Sequence, residues 1–350
     1  MAADKLNVFL VAGGDSSERD VSLDTGKSVH GALIELGHRV VVADPGRPQI
    51  RPSEDATALF SDASIKKEPP GLSGGMLEAR RRFVGLLGSF DEFGCDVVFN
   101  GLHGGVGEDG TFQAVLDYMG IRYTGSGHCA AAAAMNKHLS KQIVAHAGVP
   151  VPDQVFVDSA GHESVVSDEQ VLESLSLPAV VKPNDEGSSV GVTIARTQEE
   201  LRRAIEDAKQ FGGRYLVERF IPGKEITASI VDQCELPLIE IVPKTGFFNY
   251  ENKYQPGSCD YLVPAPLPDD TTEKILSAAR ASYRALGCRG YSRIDFRLTK
   301  DGECYFLEAN TLPGLTSGSL VPKAAHAAGI EYLELVDRIL RLSLADDAVR

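Results

Sequence analysis

At 350 residues the chain is long enough for two or three domains with their own cores, and 43% hydrophobic with 24% charged residues is an ordinary globular composition. A formal charge of -14 and a pI near 5.1 argue against a nucleic-acid surface, which would need a basic stripe, though local lysines can still hold a small anion. Six scattered cysteines without a CxxC suit buried or free thiols in a reducing compartment. The apolar run Leu6 to Ala12 is too short for a signal segment and no later stretch is long enough to span a bilayer, so a soluble cytoplasmic protein is expected.

In chain order, Asn7 to Ala12 reads as a buried strand followed by Gly13-Gly14 and a polar turn. Val29, Leu33 and Leu36 mark the apolar stripe of a helix, and Arg39 to Ala43 is the next strand, so the opening is βαβ as in a doubly wound parallel sheet. Pro45 to about Gly75 is rich in Pro, Gly, Ser and charge and reads as a surface excursion. Asp96 to Asn100 resumes as a strand and Thr111 to Met119 as a helix. A second unit opens near Thr124 with two helices, through Ala133 and through Ala147, and ends in short strands at Ala179 to Lys182 and Val190 to Ile194. A third unit begins near Glu218, with helices near Thr272 to Leu286 and Tyr332 to Leu342 flanking a hairpin. The division is 1–123, 124–217 and 218–350: an α/β protein, α+β in parts, of three domains.

The hairpin is the most informative segment. Arg293 to Leu298 and Cys304 to Asn310 flank Asp301-Gly302, a strong signal for a two-residue turn. With that turn Lys300 pairs with Glu303, Asp295 lies opposite Glu308, and Arg293 lies opposite Asn310. These four side chains share one face, while Ile294, Phe296, Leu298, Tyr305, Leu307 and Ala309 share the other. Two facing carboxylates at about 5 Å and an effective dielectric near 20 repel by about 3 kcal/mol. A hard divalent cation on Asp295, Glu308 and Asn310 removes that penalty. The alternative is a solvated amphipathic face on which Arg293 and Arg297 screen the acids, and the segment alone does not choose between the two.

Elsewhere, Lys182 to Gly191 is a Gly/Ser loop between strands whose backbone N–H groups suit a phosphate, although it is no P-loop and also reads as an ordinary hairpin loop. Gly105 to Gly110 fits GxGxxG and Gly125 to Ala130 fits GxGxxA, a dinucleotide signal weakened by the acids Glu108 and Asp109 inside the first loop and by the missing acid about 20 residues on. A NAD-binding Rossmann protein, or a non-catalytic nucleotide-binding protein, is therefore the remote alternative. Glu108 and Asp109 read equally as acids complementing a helix dipole. Phe247 to Tyr254 reads as a surface loop with aromatic anchors or as a lid that excludes water. Glu18 reads as a first-turn helix acid or as the anchor of a substrate ammonium, and His103 sits at the end of a strand in the same crevice.

Together these segments resemble the D-alanine-D-alanine ligases of the ATP-grasp superfamily. The resemblance is carried by Gly13 to Ser22, Leu102 to Gly110, Tyr123 to Gly127, Lys182 to Gly191, Tyr250 to Tyr254, Gly287 to Gly290, Arg293 to Phe296, Glu308 to Thr316 and Ser319-Leu320, in the family's order over nearly the whole chain. It implies a three-domain ATP-grasp fold that joins two D-alanine molecules through an acylphosphate, releasing ADP and phosphate, for peptidoglycan precursor synthesis. It further implies Lys137 and Lys182 on the ATP phosphates under a covering loop with Glu186, Ser188 and Ser189, and Glu218, Ile221 and Glu225 as adenine and ribose contacts. Asp295, Glu308 and Asn310 match ligands of two Mg2+ ions, with Mn2+ as a substitute. Arg293 and the Gly314 N–H match the oxyanion donors. Glu18 with His103 matches the first substrate's ammonium site, Ser319 and Leu320 the clamp on the second substrate's carboxylate, Lys253 a further substrate contact, and Glu18, Ser188 and Tyr254 a trio that holds the lid. Tyr254 favours D-alanine as second substrate over D-lactate, with D-serine as the other alternative. Asn136 stands before Lys137 where the family usually has Asp. The family is usually homodimeric.

Overall fold

Three separate β-sheets organise the computed structural model, which describes residues 5–47, 50–61, 76–158, 170–171, 175–244, 253 and 257–345. The first sheet is parallel, in order β2-β1-β3, from β1 (Asn7–Val11), β2 (Arg39–Ala43) and β3 (Val97–Asn100). Its strands are continuous apolar runs because both faces are covered. Alternate residues feed two cores, Val8, Leu10, Val40 and Val42 on one side and Phe9, Val11, Val41 and Val98 on the other. The helices α1 (Arg19–Glu35), α2 (Thr57–Phe60), α3 (Met76–Glu92) and α4 (Thr111–Met119) accompany it. Parallel pairing agrees with the βαβ reading, and β1 to β3 and α4 fall within one residue of their expected bounds, while α1 begins at Arg19, well before Val29, and ends just short of Leu36. Of the Pro45 to Gly75 excursion, residues 48–49 and 62–75 lie outside the described residues.

Next come α5 (His128–Met135) and α6 (Lys137–His146). Asn136 is the N-cap of α6 and its side-chain oxygen accepts the Leu139 N–H at 2.9 Å, so the amide caps as an aspartate would. The second sheet is antiparallel, in order β4-β7-β5-β6, from β4 (Gln154–Asp158), β5 (Ala179–Pro183), β6 (Thr193–Ala195) and β7 (Arg214–Arg219), backed by α7 (Gln198–Lys209). α7 starts with a full capping box, Thr197 with Glu200. The strand expected at Val190 to Ile194 is displaced toward the C-terminus. The Val190 and Val192 N–H groups close turns onto Gly187 and Ser189 instead of joining the ladder.

The third sheet runs β11-β10-β8-β12-β13, with β9 beside β8, all pairs antiparallel. It comprises β8 (Lys224–Val231), β9 (Cys234–Glu235), β10 (Ile239–Pro243), β11 (Cys259–Leu262), β12 (Tyr291–Leu298) and β13 (Cys304–Asn310). α8 (Asp269–Ala285) covers it together with α5 and α6, whose Ala134 and Val144 share a core with Ile226, Ile294, Phe296 and Phe306. α9 (Leu320–Ala327) and α10 (Tyr332–Ala345) pack back on the first sheet's core.

The β12–β13 hairpin corrects two expectations that cancel. The turn holds three residues, Lys300 to Gly302, not two. The Thr299 N–H donates to the Glu303 carbonyl, and Gly302 takes φ 77, a left-handed position where glycine costs least. A β-bulge at Leu307 then shifts the register back, so Arg293 still faces Asn310 and Asp295 still faces Glu308. Between turn and bulge the faces are exchanged. Cys304 and Phe306 are buried in the core, whereas Tyr305 and Leu307, expected there, are half-buried. All six cysteines are free thiols. No helix among the described residues is long and apolar enough to cross a membrane.

Candidate active site

The carboxyl end of β1, the β5–β6 loop, the β12–β13 hairpin and the N-terminus of α9 enclose a cavity of about 500 Å³. Glu18 enters it from the loop after β1. It occupies the N-cap position of α1 but makes no cap hydrogen bond. Instead it bonds the Ser188 side chain, while its Oε1 is buried without a hydrogen-bond partner. Burial raises its pKa above the usual carboxylate value, opposed by the Ser188 hydrogen bond and the charge of Lys253. A Cβ on Gly187 would lie 2.1 Å from Glu18 Oε1, so a larger residue there would displace the carboxylate or the loop. The clasp has a second strut, the Ser17 hydroxyl donating to Glu186 at 3.3 Å. Within the loop Ser188 and Ser189 hold φ of 47° and 58°, an uncommon conformation for non-glycine residues that marks a conformationally constrained turn.

His103 and Glu108 stand beside Glu18, with ligand atoms of the three within 4.8 Å of one another. Burial depresses His103 to about 4, and its Nε2 lies 2.9 Å from the Thr25 hydroxyl, so the ring is neutral at physiological pH. Glu108, read from the sequence as a helix-dipole acid, lines this cavity. It is buried, accepts the Gly104 N–H at 2.9 Å, and is pushed up to about 8 by burial and by Glu18. That bond also fills the GxGxxG loop with the chain's own carboxyl group, where a dinucleotide needs open N–H groups.

On the hairpin, Arg293 grips Asp295 with two N–H donors at 2.9 Å, and Thr227 donates to the same carboxylate at 2.6 Å. Burial opposes the charge on Glu308, but Lys137, Lys253, Lys182 and Arg293 outweigh it and hold the group at about 2. Lys137 lies 3.9 Å from Glu308 and donates to the Glu186 carbonyl, which ties hairpin and loop together. Asn310 lines the cavity and its side-chain oxygen accepts the Leu312 N–H at 2.9 Å. Gly314, Ser319, Leu320 and Lys253 also line it; Ser319 Oγ accepts the Thr316 N–H at 3.1 Å.

A second group of expected residues does not line this cavity. Glu218 on β7 bridges Lys182 at 2.8 Å and Lys141 at 3.0 Å, all three buried. Glu225 pairs with Arg297 at 3.3 Å, and Arg297 also donates to the Ile221 carbonyl at 3.2 Å. Ser189 is likewise outside the cavity lining. Tyr254 and, apart from Lys253, the Phe247 to Tyr254 stretch lie outside the described residues. Sequence reasoning missed Lys141, although Lys137 and Lys141 at i, i+4 on α6 share one helix face. Lys141 also donates to the Phe306 carbonyl at 3.3 Å, and burial lowers its pKa to about 7.

Residues 7–126 match the family model described as D-ala D-ala ligase N-terminus, and residues 143–341 match D-ala D-ala ligase C-terminus. A D-alanine–D-alanine ligase of Desulforudis audaxviator is 40% identical over 340 residues, 96% of this chain and 98% of that one. One of Geotalea uraniireducens is 40% identical over 344 residues, 97% of each. The crystal structure of the Bacillus anthracis D-alanine–D-alanine ligase complexed with ATP superposes with a TM-score of 0.75 at 32% identity, covering 97% of both chains. Three sheets around a cavity with buried lysines and carboxylates thus define an ATP-grasp ligase. Within that class the chain belongs to the D-alanine–D-alanine ligase family.

Proposed function

We propose that this chain couples ATP cleavage to the joining of two D-alanine molecules, for peptidoglycan precursor synthesis. The observation that carries the substrate reading is the buried, unpartnered oxygen of Glu18 in a cavity that also holds Arg293, Glu308 and Ser319. A carboxylate oxygen without a donor in a buried site is costly, and a substrate ammonium satisfies it. With the ammonium on Glu18, the first carboxylate attacks the γ-phosphate of ATP, forming an acylphosphate and ADP. The neutral amine of the second D-alanine then attacks the acyl carbon, and collapse of the tetrahedral adduct expels phosphate.

Lys137 and Lys182 suit the phosphates, with Glu186, Ser188 and Ser189 in the covering loop. Glu218, Ile221 and Glu225 are taken as the adenine and ribose end, with Glu218 acting through its two lysines. Arg293 and the Gly314 N–H suit the developing oxyanion. Ser319, Leu320 and Lys253 suit the second substrate. The Glu18–Ser188 bond supports the lid trio, and Tyr254 would complete it.

An all-oxygen donor set with Glu308 held ionised fits a hard divalent cation. Glu308, Asn310 and Asp295 would hold Mg2+ or Mn2+, which supplies charge neutralisation on the transferred phosphoryl group. The division 1–123, 124–217 and 218–350, a homodimeric state and a cytoplasmic setting complete the reading. ADP and phosphate release measured with D-alanine, D-serine and D-lactate tests it: D-alanine alone should support full turnover, and a larger rate with either alternative would reassign the second substrate.

A further inference from the structure

Most cations around the cavity act on carboxylates. Lys137 lies beside Glu308, Arg293 grips Asp295, and the charge of Lys253 acts on Glu18 and Glu308. Lys323 differs. It lines the cavity from α9, its ammonium donates to the Gly318 carbonyl, and it lies 5.2 Å over the Tyr261 ring. Among the described residues no carboxylate stands within ion-pair distance of it. It is half-buried, and desolvation with no compensating acid lowers its pKa. A partly desolvated ammonium whose hydrogen-bond partner is a neutral carbonyl is poised for an anion.

Its place on α9 narrows which anion. The Lys323 N–H donates to the Ser319 carbonyl at 3.1 Å, so the two residues are one helical turn apart on the same side of α9. Ser319 is the N-cap of α9 but makes no side-chain cap bond; its hydroxyl is turned to Thr316, 2.8 Å away. Thr316, Gly318, Ser319, Leu320 and Lys323 therefore line one wall of the cavity. Glu18 and Glu108 belong to another, acidic wall.

Building on the ligation reading, we infer that Lys323 is an acceptor-binding residue, pairing with the carboxylate of the second amino acid and so selecting acceptors that carry one. The amine of the acceptor enters the reaction and its carboxylate does not. Lys323 thus acts on acceptor choice and leaves phosphoryl transfer to other residues.

A competition between D-alanine and D-alaninamide as acceptors tests this, because the amide has the amine but no carboxylate and cannot act as donor. The ratio of dipeptide to dipeptide amide, read by mass spectrometry from one tube, reports the acceptor kcat/KM ratio and does not depend on how much protein is active. Lys323→Met keeps an unbranched side chain at this position and removes the charge, and the ratio should fall by about tenfold or more, the weight of a charge-assisted hydrogen bond. Lys323→Arg should retain most of it. A ratio in Lys323→Met equal to wild type overturns the assignment and leaves the ligation reading intact. Failure of the wild-type protein to form either product overturns the ligation reading and this inference with it.

Discussion

Asp295 and Glu308 face each other across β12 and β13, yet each carboxylate has its own cations: Arg293 holds Asp295 and Lys137 stands beside Glu308. The expected repulsion between them is thereby relieved without a metal, and the face remains rich in oxygen donors. Neutralising either acid strands a buried cation. Asp295→Asn and Glu308→Gln should each lower turnover at least about a hundredfold, and both should lower thermal stability in nucleotide-free buffer. The cost for Asp295→Asn should approach about 3–5 kcal/mol, as for a broken buried pair. Unfolding midpoints at or above wild type would show that repulsion dominates.

Glu308 also carries a pH signature. Its folded pKa, about 2, lies below its ordinary value of 4.5, so its contribution to stability is present above pH 4.5 and is lost as pH falls toward 2. Glu308→Gln should flatten the acid limb of the stability curve in that window. An unchanged acid limb in the variant would contradict the placement among lysines.

Glu108 titrates in the opposite sense. Its folded pKa is raised from 4.5 to about 8, so its contribution is fully present below pH 4.5 and is lost as pH rises through 8. In the substrate-free protein, Glu108→Gln should gain stability over wild type progressively from pH 5 to pH 8 and then level off. Thermal melts across that range check it; a pH-independent difference would show that the acid is not buried as described.

The clasp between Gly187 and Glu18 predicts a coupling between lid and donor site. Gly187→Ala places a methyl group on Glu18 Oε1 and should open the loop, raising the KM for the first D-alanine and the fraction of ATP hydrolysed without ligation. Ser188→Ala removes one hydrogen bond, about 0.5–1.5 kcal/mol, and should have the same effect more weakly. The ratio of dipeptide to phosphate measures both, and a ratio of one in Gly187→Ala would detach the loop from this role.

Much of the first sheet was legible because buried parallel strands are continuous apolar runs, as at Asn7 to Val11 and Arg39 to Ala43. The hairpin was legible at its far end for a less secure reason. The longer turn and the Leu307 bulge each shift the register by one residue, in opposite directions, and neither leaves a mark in the alternation of residue types. Tyr305 was misplaced because the register was counted from a two-residue turn, and the longer turn exchanges the faces between itself and the bulge. Glu218 could be named from resemblance, but its bridge to Lys141 and Lys182 joins β5, β7 and α6, a meeting that no local pattern records. Lys323 gave no signal at all, since a lysine on a short helix is ordinarily solvated.

In the proposed reaction the donor carboxylate is phosphorylated before the peptide bond forms. D-alanine labelled with ¹⁸O in its carboxylate tests this, because the oxygen that attacks the γ-phosphate leaves with it when the amine displaces it. Mass spectrometry of the products should find one ¹⁸O in each phosphate released and one retained in the new peptide carbonyl. Phosphate free of label, formed while labelled dipeptide accumulates, would contradict the acylphosphate route.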